Sequence, residues 1–522
     1  MRKGEVSLNA VRKIFCIVRI LIVCVIILTI SPSSSFSSIF DVTNEEELRQ
    51  ALSDSASNSE DDTSNISAGE YFTNGEAFTY ESEEDFSLTI AGEGMGLTII
   101  SGGGQSRVLE IANQTTNGSE ATLIIRNLTI SGGSESEPPY MVAGFKAGGF
   151  KDITMEKCTI GDNFSELGDG GFSISGQNVT FSNNSVSGNL TRGGFIGGGS
   201  ISGSQVMLVN NRFGGNTAEK GPGGASISGE IVTLTGNEFT VNVSRDDVGG
   251  VRISGDSINL TNNKFSGNHG VLLGLGGAVV GVGNGGQASL INNIFENNTS
   301  AGPGGGLDIF VSAQAEPIDE TTILTLTNNT LSLNKSEGVS VSAGSANGGG
   351  IYIAGDDNTI MNIYNNIIFD NFAADGGDDI FVDDYRVGTN IGSTVNLFNN
   401  DFSDFISVCE NTEGCEPNIK EGDNIDFDPL FVDAEAGDVS LQPDSPCIDA
   451  GDPNAPEVPS TDFFGNPRVP PPDMGAVEFV EEAQGGGGCS IAPTPVASSL
   501  AVFLGIPVVI LIRRIVKRYR SY

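Results

Sequence analysis

The feature that most constrains the fold is a pattern that recurs between residues 153 and 371. Each copy reads apolar-x-apolar-x-x-Asn-x-apolar-x-x-Asn and continues, after a variable stretch, with Gly-Gly and two more apolar residues. The clearest copies carry their first asparagine at Asn211, Asn237 and Asn263, so the repeat length is 26 residues. A fixed period of this size is typical of a solenoid, in which each repeat buries its apolar face only against its neighbours.

The spacing inside each repeat indicates strands. Val206 and Leu208 alternate with polar positions, so their side chains lie on one face of a strand, and this period of two excludes helical repeats. The break before Asn211 predicts a corner, where asparagine tolerates a left-handed backbone and its amide can bond along a stack of amides. We therefore predict a buried asparagine ladder. Its members are Asn184, Asn211, Asn237, Asn263, Asn293, Asn329 and Asn366.

Three short strands per turn with stacked inward Asn and Phe residues resemble the right-handed parallel β-helix of the pectate-lyase-like superfamily. The resemblance covers roughly residues 60–405. It implies an all-β fold, a right-handed parallel β-helix solenoid of about 9–11 coils, which we assign to residues 61–405.

Residues 36–60 are expected to close the first coil with a short helix. Thr43 or Asn44 can cap its N-terminus, and Leu48 and Leu52 fall on one helical face. An apolar face of this kind can cover the exposed strand edge at the end of a solenoid.

Residues 406–480 are predicted to form a C-terminal cap. The run from Asn424 to Asp433, followed by Pro-Asp-Ser-Pro-Cys and Asp-Met-Gly-Ala-Val-Glu, resembles the choice-of-anchor Q module of bacterial surface β-helix proteins. Asp426, Asp428 and Asp433 are candidate calcium ligands, because closely spaced carboxylates suit that cation. The alternative is that these aspartates only form turns. We expect no required cofactor, with calcium as the one candidate.

Both ends of the chain have the composition of targeting segments. Residues 1–35 combine basic residues, an apolar run and a serine-rich stretch, which predicts a signal peptide. Residues 495–512 form an apolar run long enough to be a transmembrane helix, and the basic residues of 513–522 are expected in the cytoplasm. The predicted location is outside the cytoplasm, anchored to a membrane or the cell surface.

Between the cap and the apolar run lies a glycine-rich linker, residues 481–494. It contains Gly487, Gly488 and Cys489 and resembles the Gly-Gly-Cys sorting tails of bacterial surface proteins. The resemblance implies processing or lipidation at Cys489 by a sorting protease or transferase. The alternative is a plain membrane anchor behind a flexible linker.

Composition limits the partners. The chain has 26 basic and 66 acidic residues, a formal net charge of −40, so it repels nucleic acid and we predict no nucleic-acid partner. Cys409 and Cys415 flank a five-residue loop and are a candidate disulfide in an oxidising compartment.

The fold resemblance implies that a polysaccharide lyase or glycoside hydrolase is one candidate function. The candidate catalytic residues are Asp378, Asp379, Asp383, Asp384 and Arg386. Adjacent strand residues point to opposite faces, which argues against each aspartate pair. The lone histidine, His269, does not form the Gly-His-Gly pattern of polygalacturonases.

The sequence therefore favours a structural or adhesive surface protein whose partner is a polysaccharide or surface glycan. The alternative is an anchored lyase or hydrolase that acts on acidic polysaccharide. The longer loops at 313–321 and 336–346 are where a binding groove is expected, because insertions in solenoids cluster on one face.

Overall fold

The computed structural model describes residues 37–115, 118–136, 142–311, 320–338, 345–386, 391–409 and 416–481. The predicted signal peptide, sorting motif, transmembrane segment and basic tail lie outside these residues, as do Cys415 and most of both long loops. Within the described part, no helix is long and apolar enough to cross a membrane.

The described chain winds into a right-handed parallel β-solenoid. Twelve strands of one row, from Gly69–Phe72 to Asp401–Phe402, mark about twelve coils in the described residues, one more than the upper end of the predicted range. At the start of the solenoid Gly69 pairs with Thr98 in register, although neither coil carries the asparagine pattern.

The strands fall into four rows, each of which runs parallel along the solenoid. The first and second rows are joined into one sheet, because the long strands Val251–Thr261 and Ala278–Ile291 belong to both. The other first-row strands are Phe78–Ser82, Leu109–Asn113, Phe145–Gly148, Phe172–Ser175, Gly199–Ser202, Ala225–Ser228, Leu307–Val311, Ile351–Asp356, Ile380–Arg386 and Phe405–Cys409. The other second-row strands are Ser37–Val42, Asp61–Ile66, Leu88–Gly92, Thr122–Arg126, Asp152–Glu156, Asn178–Ser182, Gln205–Val209, Ile231–Thr235, Thr322–Thr327, Thr359–Tyr364, Ile391–Phe398 and Glu416–Gly422.

The third and fourth rows consist of shorter strands. The third row comprises Gly69–Phe72, Thr98–Ser101, Thr129–Ser131, Thr159–Gly161, Ser185–Ser187, Arg212–Gly214, Glu238–Thr240, Lys264–Ser266, Ile294–Glu296, Thr330–Ser332, Ile367–Phe369 and Asp401–Phe402. The fourth row comprises Ser134–Glu135, Phe164–Ser165, Leu190–Thr191, Thr217–Ala218, Val243–Ser244, His269–Gly270, Thr299–Ser300, Lys335–Ser336 and Phe372–Ala373.

Identical inward side chains stack from coil to coil and form the core. The rings of Phe213, Phe239, Phe265 and Phe295 lie 4.8, 5.4 and 4.5 Å apart between centroids, with planes within 9° of parallel. All four rings are fully buried. Burial of each large ring contributes roughly 2–3 kcal/mol, and the stacking adds about 1 kcal/mol.

A ladder of buried asparagines runs along the corner between the second and third rows. The Oδ1 atom of Asn237 accepts from both the backbone N and the Nδ2 of Asn211, each at 2.9 Å, and the Nδ2 of Asn237 donates to Oδ1 of Asn263 at 3.0 Å. All the predicted ladder positions lie in this stack. Cys158 occupies the same register one coil before Asn184 and donates its backbone N–H to Asn184.

The sequence pattern suggested that one asparagine both adopts the left-handed backbone and turns its amide inward. In the structure two adjacent residues share these roles. Asn210 takes the left-handed conformation, with φ at 54°, whereas the next residue, Asn211, turns its amide inward. A second ladder, which includes Asn216, Asn242 and Asn268, follows the third row in the same way.

The helix at the start of the solenoid spans Glu45–Ser55. Asn44 is its N-cap and accepts from the backbone N–H of Glu47, whose carboxylate accepts in turn from Thr43. Leu48 and Leu52 are fully buried against the first coils, as their helical spacing predicts.

The segment 426–479 packs along the flank of the last coils, and we call it the clasp. It contains an antiparallel pair, Phe431–Asp433 and Asp438–Leu441, joined by the 3-10 turn Ala434–Ala436. Its apolar residues cover Ile294 and Ile367 of the third row. The sequence predicted a C-terminal cap over residues 406–480. In the structure Glu416–Gly422 continues the second row, and the contacts of the clasp place it beside the coils.

Corner asparagines hold the clasp in place. The Nδ2 atoms of Asn292, Asn328 and Asn365 donate to carbonyls of the clasp at 2.7, 2.9 and 3.1 Å. The left-handed corner residues therefore serve as a docking row as well as a turn.

Candidate functional site

Serines occupy the outward positions of several consecutive strands in the first row. Ser173, Ser200 and Ser226 pair in register in three successive coils, and each is partly exposed between two buried inward residues. A second line, two residues further along the strands, consists of Ser175, Ser202, Ser228 and Ser254. We call these two lines the serine floor. Small polar side chains leave a flat surface that offers hydroxyl donors and acceptors in every coil.

A charged and aromatic cluster continues the first serine line. Arg252 follows Ser226 in register, and Val279, Asp308 and Tyr352 occupy the next three coils. Because neighbouring strands lie about 4.8 Å apart, the Arg252 and Asp308 backbones are separated by about 10 Å. Arg252, Asp308 and Tyr352 thus lie on the outward side of one row within three coil steps, and Val279 between the first two is fully buried.

Asp308 lies in an unusual environment for a carboxylate. Its side chain is on the outer face but only 6% of the residue is exposed, and the turn at Gly304 packs closely against it. Burial raises the pKa of Asp308 to about 7, although the nearby Arg252 charge lowers it in part. No hydrogen bond or ion pair between described residues uses this carboxylate.

The neighbours of Asp308 are themselves held in place. Arg252 forms an ion pair with Asp247, and the phenol of Tyr352 donates to Oδ2 of Asp383 at 2.7 Å. The Tyr352 ring stacks on that of Phe381, with 5.8 Å between centroids. Arg252 and Tyr352 are thus each oriented by another carboxylate, Asp247 and Asp383, and not by Asp308.

Charged residues also lie at the opposite end of the serine floor, in the coils before Ser173. Lys146 precedes Ser173 in register and forms an ion pair with Glu110 at 3.1 Å, and Glu110 also contacts the buried Arg107. A cleft of about 400 Å³ opens here. Six coil steps separate Lys146 from Asp308, which corresponds to a distance of about 29 Å along the face.

The predicted catalytic residues are dispersed by the structure. Asp379 is fully buried and accepts from Nδ2 of Asn371 and from Ser403, so it ends the second asparagine ladder. Asp378 accepts from the backbone N–H of Ala373 at 2.7 Å. These contacts give both residues a role in shaping a turn, and neither reaches the serine floor.

Of the second predicted pair, only one member lies on the outer face. Asp383 faces outward beside Tyr352, whereas Asp384 is fully buried and accepts from the backbone N–H of Ser393 at 2.9 Å. Burial raises the pKa of Asp384. The side chain of Arg386 lies outside the described residues.

The three candidate calcium ligands do not converge. Asp433 caps the 3-10 turn through the backbone N–H of Ala436, and Asp428 accepts from the backbone N–H of Leu430. Across the residues that the structure describes, no three His, Cys, Asp or Glu side chains are grouped as metal ligands. Cys409 is disulfide-bonded, and its pairing with Cys415 stays a prediction because Cys415 is not among the described residues.

Asp308 and Tyr352 are not among the residues predicted from the sequence, although the repeat contains a signal for them. Both stand two residues after the second glycine of a Gly-Gly pair, as do Ser200, Ser226 and Arg252. Alignment of the repeats on these glycines would have shown that the outward position changes from serine to charged and aromatic residues in the later coils.

The chain was compared with known proteins. The family described as the right-handed β-helix region matches residues 109–299. No curated protein matches the chain. The A-module of the mannuronan C-5 epimerase AlgE6 from Azotobacter vinelandii is 14% identical, with a TM-score of 0.34 over 74% of this chain and 95% of that one. The pectate lyase Pel9A is 12% identical, with a TM-score of 0.35 over 86% of this chain and 98% of that one.

Proposed function

We propose that the protein binds an extended polysaccharide along the serine floor, as an exported surface protein with a structural or adhesive role. The observation that carries the proposal is the continuous line of small outward polar residues from Ser173 to Ser226, with charged clusters at Lys146 and Arg252. Such a face can offer repeated hydrogen bonds to a repeating polymer. Export, and anchoring through residues 481–522, belong to the same proposal.

The test is to obstruct the floor without touching the core. Ser226→Trp places a large ring on the outer face, and Thr233→Trp places the same ring on the outer face of the next strand in the same coil. Affinity electrophoresis measures binding to a panel of acidic and neutral polysaccharides. We expect the affinity to fall at least tenfold for Ser226→Trp and to stay unchanged for Thr233→Trp. Equal binding by both variants would contradict the proposal.

A second candidate function is cleavage of the bound polymer, and one observation favours it. The pKa of Asp308 is raised to about 7 by burial, so this carboxylate can accept a proton at neutral pH. Arg252, two coils away, can hold an acidic substrate group near it. In this function Asp308 would be the base.

The test for cleavage follows both unsaturated products and reducing ends, with and without calcium. Asp308→Asn keeps the shape of the side chain and should abolish turnover, while the exposed Asp444→Asn in the clasp should retain it. Absence of turnover by the unmodified protein across acidic polymers would exclude this candidate and leave binding in place.

A further inference from the structure

Two loops beside the serine floor are longer than their neighbours. The loops 191–197 and 270–276 each run from the end of a fourth-row strand to the Gly-Gly pair before the next first-row strand. Both contain one residue more than the equivalent loops 165–170, 218–223, 244–249 and 300–305. Insertions in solenoids collect in the loops of one face, and that face is often the one that binds a ligand.

The two longer loops also expose large apolar side chains. Phe195 is 61% exposed, and Leu272 and Leu273 are 39% and 41% exposed. The structure describes the four shorter loops completely, and none of them exposes a large apolar side chain. Single exposed apolar residues are common on protein surfaces. Their restriction to the two elongated loops links their exposure to the extra residue.

The backbone of Phe195 is fixed while its side chain is exposed. Its carbonyl oxygen packs so closely on Gly221 of the next coil that a Cβ atom at this glycine would lie 1.8 Å from it. The following residue, Ile196, donates its backbone N–H to Oδ1 of Asp169, in the preceding coil, at 3.2 Å. Both neighbouring coils therefore hold the loop, and a ligand that covers the Phe195 ring has little backbone to order.

Asp169 connects this loop to the serine floor. Its Oδ2 accepts from the hydroxyl of Ser200 at 3.4 Å, and the Oγ atoms of Ser200 and Ser173 lie 2.9 Å apart. A row of one carboxylate and two hydroxyls thus begins at the Phe195 loop, and such groups can bond the hydroxyls of a sugar. Burial raises the pKa of Asp169 to about 6, so at higher pH its charge repels an anionic ligand.

We propose that Phe195 is a stacking platform for a neutral pyranose unit, whose hydroxyls bond to Asp169 and Ser200. The assignment rests on the polysaccharide binding proposed above and specifies a neutral polymer. Pyranose rings carry C–H groups on their faces, and the negative face of an aromatic ring attracts these hydrogens. Leu272 and Leu273 offer a similar apolar contact to a second unit. Their loop lies three coil steps, or about 14 Å, further along the floor.

The test is affinity electrophoresis of the full chain at pH 8. The neutral probes are xylan, glucomannan and soluble β-glucan, and the acidic probes are alginate and polygalacturonate. At least one neutral probe should retard the unmodified protein more strongly than either acidic probe does. For that probe Phe195→Ala should lower the affinity about tenfold, whereas Phe195→Tyr, which keeps an aromatic ring, should bind within about twofold of the unmodified protein.

Phe427→Ala is the matched control, because Phe427 is also 61% exposed but lies in the clasp. This variant should bind as the unmodified protein does. Ser226→Trp separates the inference from the binding function on which it rests. Binding that is blocked by Ser226→Trp but unchanged in Phe195→Ala, or retention by acidic probes only, would overturn the Phe195 platform and leave the binding function in place. An unmodified protein that no probe retards would overturn both.

Discussion

At the scale of single residues, Asp308 gives the clearest link between the candidate site and stability. Its pKa is raised to about 7 in the folded state, whereas an aspartate in an unfolded chain titrates near 3.8. The folded protein therefore binds more protons than the unfolded chain between these values, and stability falls as pH rises from about 4 to 7. At higher pH the buried charge costs up to about 4 kcal/mol.

Asp308→Asn should therefore raise the melting temperature at pH 8 and have little effect near pH 4. The measurement is thermal unfolding of both proteins across this range. A variant with the same pH dependence as the unmodified protein would show that Asp308 does not titrate as described.

A second prediction at this scale concerns the ladder. Asn237→Ala removes the acceptor of two donors of Asn211 and leaves the Leu208 carbonyl without its partner. Buried donors without acceptors each cost about 1–3 kcal/mol, so we expect a loss of roughly 3–5 kcal/mol in the free energy of unfolding.

The matched control for the ladder is Asn210→Gly, in the adjacent left-handed corner. Glycine adopts φ of 54° without strain, and Gly236 already occupies the equivalent corner one coil later. This variant should lie within about 1 kcal/mol of the unmodified protein by chemical denaturation. A similar loss in both variants would assign the effect to the corner and not to the inward amide.

At the scale of elements, the repeat predicted most of the solenoid and little of the clasp. Strand spacing and the asparagine register follow from the alternation of apolar and polar residues, and this alternation recurs in every repeat. The clasp has no repeat. It packs on two outward residues of the third row, Ile294 and Ile367. The same position is polar in earlier coils, where Arg212 and Lys264 occupy it. A serine in the sequence does not show which face of a strand it lies on. The serine floor can therefore be recognised only when the coils are stacked in register.

The clasp depends on a buried arginine. Arg468 donates to Glu478 at 2.9 Å, to Oδ1 of Asn292 at 2.8 Å and to the carbonyl of Gly475 at 2.8 Å. Arg468→Met would leave Glu478 buried without its partner, which costs about 3–5 kcal/mol. Hydrogen exchange should then increase throughout the clasp, residues 426–479, while the early coils remain protected.

Arg212→Met is the control for this change. Arg212 and Glu238 form an exposed pair with 3.7 Å between charged atoms, and such pairs contribute about 0–1 kcal/mol. Increased exchange over the whole solenoid in the Arg468 variant would contradict the assignment of Arg468 to the clasp.

At the scale of the whole molecule, the solenoid turns a local repeat into a long surface. Each coil moves the outward position by about 4.8 Å, so the exposed line from Lys146 to Arg252, four coil steps long, extends about 19 Å. If the proposed binding along the serine floor holds, each coil that the ligand covers adds its own hydrogen bonds to the affinity.

Affinity should therefore depend on ligand length. Size-fractionated oligosaccharides of a polymer that binds should show affinity that rises with each added sugar until the ligand spans about 19 Å, the length of the exposed line from Lys146 to Arg252, and then levels off. Calorimetry with the fractions measures this directly. A plateau already reached by a disaccharide would place recognition in a local pocket such as the one at Arg107, since a short ligand cannot contact both ends of the serine floor.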